Sequence, residues 1–299
     1  MVSDPEVFSP ATAIDRSMDE ATAFVPGHLT GFSGVHRADD PTVAGASGGG
    51  IAVSRGVRVT VRRADEHGSS VELNGDPVEF GAVSRVLRAL RVPGARVGVE
   101  TPLAPGAGFG VTGAAALGTV LASNAVFGRA LSENELVTVA HGAEVQAGTG
   151  LGDVVGQARG GAPLRLEPGG PTHNRTDGIP ARGRVEYLVL DGPRDVDAAL
   201  PAPEESDLRS GAAKRALSAV VGEPTLRAFM RASRRFAREA DLLTDEARVV
   251  VETVNRAGGE AAPAVGGPTV FALGEGLSDA GYDAEVTEVD VAGARMVAE

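Results

Sequence analysis

Hydrophobic positions cut the chain into segments of two kinds. From about Thr112 to Phe127 almost every residue is small or apolar and no polar stripe appears. That pattern predicts a helix buried on all sides, closed by Gly128 at its C-terminal cap. A second helix is predicted from Glu133 to about Gln146, because Ser132-Glu-Asn-Glu135 reads as a capping box. Val83, Val86, Leu87 and Leu90 have helical spacing and give a short amphipathic helix. Strand-like runs occur at Ala21–Val25, Ile51–Val61 and Arg96–Glu100, with Val71–Leu73 read as the hairpin partner of Ile51–Val61 across Asp65–Ser70. Later strands are expected at Pro163–Leu166, Val185–Leu190, Thr269–Leu273 and Ala284–Val289. Helices over 206–221, 224–242 (Pro224 in its first turn) and 245–257 fall between them.

The breaks in this pattern suggest the domain plan. Residues 1–20 have no sustained period and are expected to form a disordered tail, with Met18 an alternative start. Pro26–Ser33 reads as a turn presenting His28 and Thr30, and Gly45–Gly50 as a flexible loop. Gly169–Arg184 is polar and rich in Gly and Pro, so it reads as the crossing between a domain over 21–170 and another over 171–299.

The stretch that changes the picture is Pro102-Leu-Ala-Pro-Gly-Ala-Gly-Phe-Gly-Val-Thr-Gly-Ala-Ala-Ala116. It joins the strand Arg96–Glu100 to the buried helix. Its glycines allow close approach of a ligand, and the free N–H groups of the helix start favour an anion such as phosphate. A glycine-rich turn before a buried helix would read the same way, so other residues must decide. Gly108-x-Gly110-x-x-Gly113 also matches a dinucleotide fingerprint, but Thr101–Pro105 separates it from its strand and Glu133 falls in a helix start. No Gly-Lys-Ser/Thr follows, which excludes a Walker A loop.

Composition adds limits. The chain has 299 residues with 42% apolar content, enough for two globular domains. No run is long and apolar enough for a membrane span, and no secretory signal is visible, so a cytoplasmic location and no membrane partner are expected. Cysteine is absent, which rules out disulfides and thiolate chemistry. The net charge of −12 argues against nucleic acid. Lys214 is the one lysine, and such an acidic, lysine-poor chain resembles halophilic proteins, although a codon bias toward Arg, Ala and Gly gives the same result.

Two carboxylates follow the glycine loop in order. Glu144 shares a helix face with His141, and Asp153 ends the glycine-bounded turn Ala147-Gly-Thr-Gly-Leu-Gly-Asp153. A phosphate loop, a metal-holding hydroxyl and carboxylate, and a second acid for the acceptor hydroxyl are the parts that phosphoryl transfer needs.

In these pieces the chain resembles the GHMP kinases, and among them most resembles the archaeal pantoate kinases. The resemblance rests on Pro-Gly-His-Leu-Thr-Gly-Phe at 26–32, the loop at 102–116, Ala140-His-x-Ala-Glu144, Thr149-Gly-Leu-Gly-Asp153-Val and Gly-Pro-Thr-Val-Phe-Ala at 267–272. It implies a two-domain α+β fold, with an N-terminal half like ribosomal protein S5 domain 2 and a ferredoxin-like C-terminal half. It implies ATP bound by Pro105, Gly106, Ala107, Gly108, Phe109, Gly110, Val111, Thr112 and Gly113, and Mg²⁺ on Thr112 and Glu144. Asp153, Glu144 and Thr112 are the implied catalytic residues. His28, His141 and Arg165 are implied near the substrate, pantoate, whose carboxylate suits an arginine clamp. The implied reaction yields 4-phosphopantoate, in coenzyme A biosynthesis. A GHMP kinase for another small alcohol, or a silent nucleotide-binding regulator, remains open, as does a homodimer. Val111 replaces the loop's first serine, and Val265-Gly-Gly-Pro268 is a thinned C-terminal glycine motif without lysine.

Overall fold

In the computed structural model, residues 18–64, 68–190 and 203–297 are described. Most of the segment expected as an N-terminal tail lies outside them. The frame begins with β1 (Glu20–His36) and β2 (Gly45–Arg63), paired antiparallel along almost their whole length. This corrects two sequence expectations. The supposed turn at Pro26–Ser33 is strand, and so is the supposed loop at Gly45–Gly50. Glycine is needed there for close packing, and at Gly48 also for its φ of 151°. A Cβ at Gly50 would run into the His28 ring and the Leu29 carbonyl, and one at Gly48 would strike the Phe32 carbonyl. Register shifts at Pro26/Gly27 and Thr30/Phe32 bend the pair.

After β2 come β3 (Ser70–Leu73), β4 (Asp76–Pro77), α1 (Gly81–Ala89), β5 (Ala95–Glu100), α2 (Val111–Phe127), α3 (Glu133–Ala147) and α4 (Asp153–Arg159). The expected hairpin of Val71–Leu73 with Ile51–Val61 does not form. β5 lies between them, antiparallel to β2 and parallel to β3. Both edges of β5 thus supply partners, and β3 closes instead on the two-residue β4.

β6 (Ala162–Glu167) and β7 (Arg175–Ile179) follow, so the polar stretch expected as a plain crossing carries a strand. The chain continues through β8 (Arg184–Val189), α5 (Pro203–Gly222), α6 (Leu226–Glu239), α7 (Asp245–Arg256), β9 (Ala261–Pro263), β10 (Thr269–Leu273), α8 (Gly276–Asp279), β11 (Glu285–Glu288) and β12 (Arg295–Val297). Pro224 stands before α6 and not in its first turn, because Thr225 takes the N-cap and accepts from the Ala228 N–H.

The first sheet runs β12-β1-β2-β5-β3-β4, with β6 joining β2 and β7 joining β6. The second runs β11-β8-β10-β9. β12, which sequence periodicity does not reveal, returns the end of the chain to the edge of β1. α2 packs on β1 and β2, and Ala114, Ala115, Ala116, Leu117 and Val120 are wholly buried. A Cβ at Gly118 would meet Val59, so the helix approaches the sheet closely. The Phe32, Phe229 and Phe271 rings carry one continuous core from β1 through α6 to β10.

Candidate active site

The loop between β5 and α2 takes the form that its glycines suggest. Gly106, Gly108 and Gly110 all have positive φ, at 77°, 95° and 64°, which a side chain would make costly. Gly110 is the N-cap of α2, and no side chain caps the helix. The first amides of α2 are therefore left for another acceptor, with no acidic residue in the first turn to compete. Thr112 stands half-buried in that turn.

The second sheet braces this loop from behind. Thr269 Oγ1 donates to the Ala107 carbonyl at 2.6 Å, and Val265 N–H to the Thr30 carbonyl at 2.7 Å. Gly267 packs so tightly on Ala107 and Gly108 that a Cβ there would collide with their backbone. The thinned C-terminal glycine motif thus lies against the loop even without a lysine.

Around α2's first turn the structure brings together Thr112, Glu144 and Asp153. Thr112 Oγ1 donates to Glu144 Oε2 at 3.3 Å, and Thr149 Oγ1 to Glu144 Oε1 at 2.8 Å. Glu144 is 2% exposed. Burial, reinforced by the charge of Asp153, pushes its carboxyl up to about 7, while the bonds from Thr149 and Thr112 oppose the rise. Gly150 makes room for it, since a Cβ there would run into Glu144 Oε2.

Asp153 is the first residue of α4, with helical backbone after Gly152; the sequence suggested a turn. Its Oδ1 accepts from His28 Nδ1 at 2.8 Å and from Thr30 Oγ1 at 2.9 Å, so Oδ2 is free of both. Burial would raise this carboxyl, but the bond from His28, the charge of Arg165 and the bond from Thr30 outweigh it and hold Asp153 below the ordinary range. His28 itself is wholly buried, wedged between Gly50 and Gly156, and burial pushes its pKa down. Its Nε2 finds no partner among the described residues, which fits a neutral ring carrying its proton on Nδ1. His28, expected beside the substrate, is wholly buried and bonded to Asp153.

Arg165 on β6 is 2% exposed, donates from Nε to the Ala46 carbonyl at 3.1 Å, and has an Nη1 without partner among the described residues. A Cβ at Gly152 would come within 2.8 Å of Arg165 Nε, which places the guanidinium beside the start of α4. His141 is also buried. Its Nε2 meets the Ala44 carbonyl at 2.8 Å and tethers the β1–β2 connection to α3.

Thr149 and Gln157 escape sequence reading, and Thr30, noticed there beside His28, gains its role as a donor to Asp153 only in the structure. Gln157 Nε2 donates to the Gly110 carbonyl at 2.9 Å. A hydroxyl or an amide in such stretches has no signature of its own. Their one visible signal is the glycine spacing at 148, 150, 152 and 156, three of which clear space for Glu144, Arg165 and His28.

Comparison with known proteins identifies the family. The sequence pattern described as the GHMP kinases N terminal domain matches residues 79–161. Over 269 residues the chain is 32% identical to a pantoate kinase of Methanospirillum hungatei, covering 86% of this chain and 89% of that protein. The chain belongs to the GHMP kinases, in the pantoate kinase family. A pantoate kinase of Thermococcus kodakarensis is 31% identical over 254 residues, covering 78% of this chain and 80% of that protein. A solved structure described as a phosphotransferase related to the CoA biosynthesis pathway superposes with a TM-score of 0.82 at 26% identity, covering 93% of this chain and 98% of that one. The α+β, two-domain GHMP kinase fold expected from the sequence is therefore the fold found, and the chain is an ATP-dependent kinase.

Proposed function

We propose that this GHMP kinase transfers the γ-phosphoryl group of ATP to a hydroxyl of pantoate, giving ADP and 4-phosphopantoate for coenzyme A biosynthesis. The observation that carries the reading is the joint placement of an ionised Asp153, a buried Arg165 with a free Nη1 and the uncapped start of α2. Acid, anion clamp and phosphate site then meet in one place.

In this reading residues 105–113 hold the triphosphate against the free amides of α2. Arg165 clamps the pantoate carboxylate by charge-assisted bonds, and His141 shapes the wall beside it. The hydroxyl oxygen attacks the γ-phosphorus, the bond from that phosphorus to the β-bridging oxygen breaks, and the hydroxyl proton passes to Asp153. Asp153 is a weak base, which suffices in a loose transition state where the proton leaves late and positioning does most of the work. His28 and Thr30 both bind Oδ1, so they fix the carboxylate and direct Oδ2 to that proton.

The residues also suit Mg²⁺. Glu144 is buried with two hydroxyl partners and, among the described residues, no paired cation. A carboxylate so held gains from a divalent ion, and Mg²⁺ commonly takes one or two protein oxygens with the rest from phosphate and water. Thr112 and Glu144 would hold it, and it would neutralise phosphate charge. ADP release with pantoate, compared with mevalonate and homoserine, tests the assignment: pantoate should be much the fastest, and equal or absent rates would overturn it.

A further inference from the structure

α4 meets the phosphate loop and the first turn of α2 through residues that have no side chain. A Cβ at Gly110 would lie 3.0 Å from Asp153 Cβ and 3.1 Å from Gln157 Nε2, and one at Gly113 would lie 3.2 Å from Gln157 Oε1. Asp153 and Gln157 are one turn apart on α4 and share a face. Gly110 and Gly113 are a matching slot for that face. The Gly-x-x-Gly spacing that resembles a dinucleotide fingerprint has its physical reason in this helix approach.

Gln157 is wholly buried in the slot. Its Nε2 donates to the carbonyl of Gly110, the residue that caps α2, at 2.9 Å. Its Oε1 finds no donor among the described residues, although a buried amide oxygen ordinarily has one. Its backbone carbonyl accepts from Ala294 N–H at 2.9 Å, from the turn that leads into β12. Gln157 is thus held from one side by the phosphate loop and from the other by the end of the chain. α4 has only seven residues, too few to be stable alone, so tertiary contacts such as these must set its direction.

We propose that Gln157 is the positioning residue that fixes Asp153 relative to the phosphate loop. The inference deepens the kinase reading above and rests on it. Asp153 opens the helix whose next turn carries Gln157, so a tilt of α4 away from Gly110 moves the acid away from the phosphate site.

Gln157→Met keeps length and volume and removes the donor. Turnover should fall about tenfold or more, because an ångström of misplacement costs on the order of 10²-fold. KM for ATP and pantoate and the melting temperature should stay near wild type. In an Asp153→Asn background the same substitution should cost far less, since no acid is left to position. An unchanged kcat, or equal losses in both backgrounds, would overturn the proposal. Should Gln157→Met fail to fold, Gln157→Leu, which also removes the donor to the Gly110 carbonyl, takes its place in the same cycle with the same outcomes. If the wild type does not phosphorylate pantoate, that failure belongs to the functional reading. Amide exchange over residues 105–116 then decides for Gln157: faster exchange in Gln157→Met, with β2 unchanged, supports the proposal, and identical exchange overturns it.

Discussion

Glu144→Gln should stabilise the metal-free protein at alkaline pH while abolishing its response to Mg²⁺. Glu144 is 2% exposed, and burial lifts its carboxyl from 4.5 to about 7. At about 1.4 kcal/mol per pKa unit, ionising it in the folded state costs about 3 kcal/mol more than in the unfolded chain. Because the folded value is the higher one, this group's contribution is fully present below pH 4.5 and is lost as pH rises through about 7. Glutamine cannot ionise, yet it can still accept from one threonine and donate to the other. Thermal unfolding in EDTA should therefore show near-equal melting temperatures at acid pH. At pH values above 7 the variant should melt higher, by a shift on the order of 5 °C. Adding Mg²⁺ should raise the wild-type melting temperature at alkaline pH and leave the variant unmoved. Parallel melting curves for the two proteins across pH would refute the reasoning, because the buried carboxylate would then carry no excess cost.

Three further outcomes follow from the same geometry. Asp153→Asn should lower kcat by about 10²–10⁴ while nucleotide affinity, read by fluorescence titration, stays near wild type. Arg165→Gln should raise KM for pantoate by about 10- to 100-fold, the worth of charge-assisted hydrogen bonds, with KM for ATP little changed; an unmoved KM for pantoate would place the carboxylate elsewhere. Melting temperature should rise from dilute buffer to molar KCl, because salt screens a net charge of −12 carried with a single lysine; a flat profile would leave codon bias as the origin of the composition.

Helices were more legible in the sequence than sheet pairing, for a physical reason. The core helix α2 and the capping box of α3 are local, and Ser132 and Glu135 do form the reciprocal bonds their spacing implies. Strand partners are not local. The place of β5 between β2 and β3, and the return of β12 to β1, depend on contacts that no periodicity encodes. The glycines at 45–50 misled because glycine looks alike in a loop and in a strand whose neighbours leave no room for a Cβ. The candidate site divides along the same line. Glu144, Asp153 and Thr112 stand out by type and order, and the structure gathers them. The roles of His28, Thr30, Thr149 and Gln157 emerge only from partners up to 125 residues away, such as Asp153 for His28.

The most direct test of the account is phosphorus NMR of the purified chain with ATP, Mg²⁺ and pantoate. One new phosphomonoester resonance, coupled to the protons of the pantoate hydroxymethyl carbon and growing at the rate of ADP, is the expected result. ADP accompanied only by inorganic phosphate, or ADP formed equally without pantoate, would contradict it.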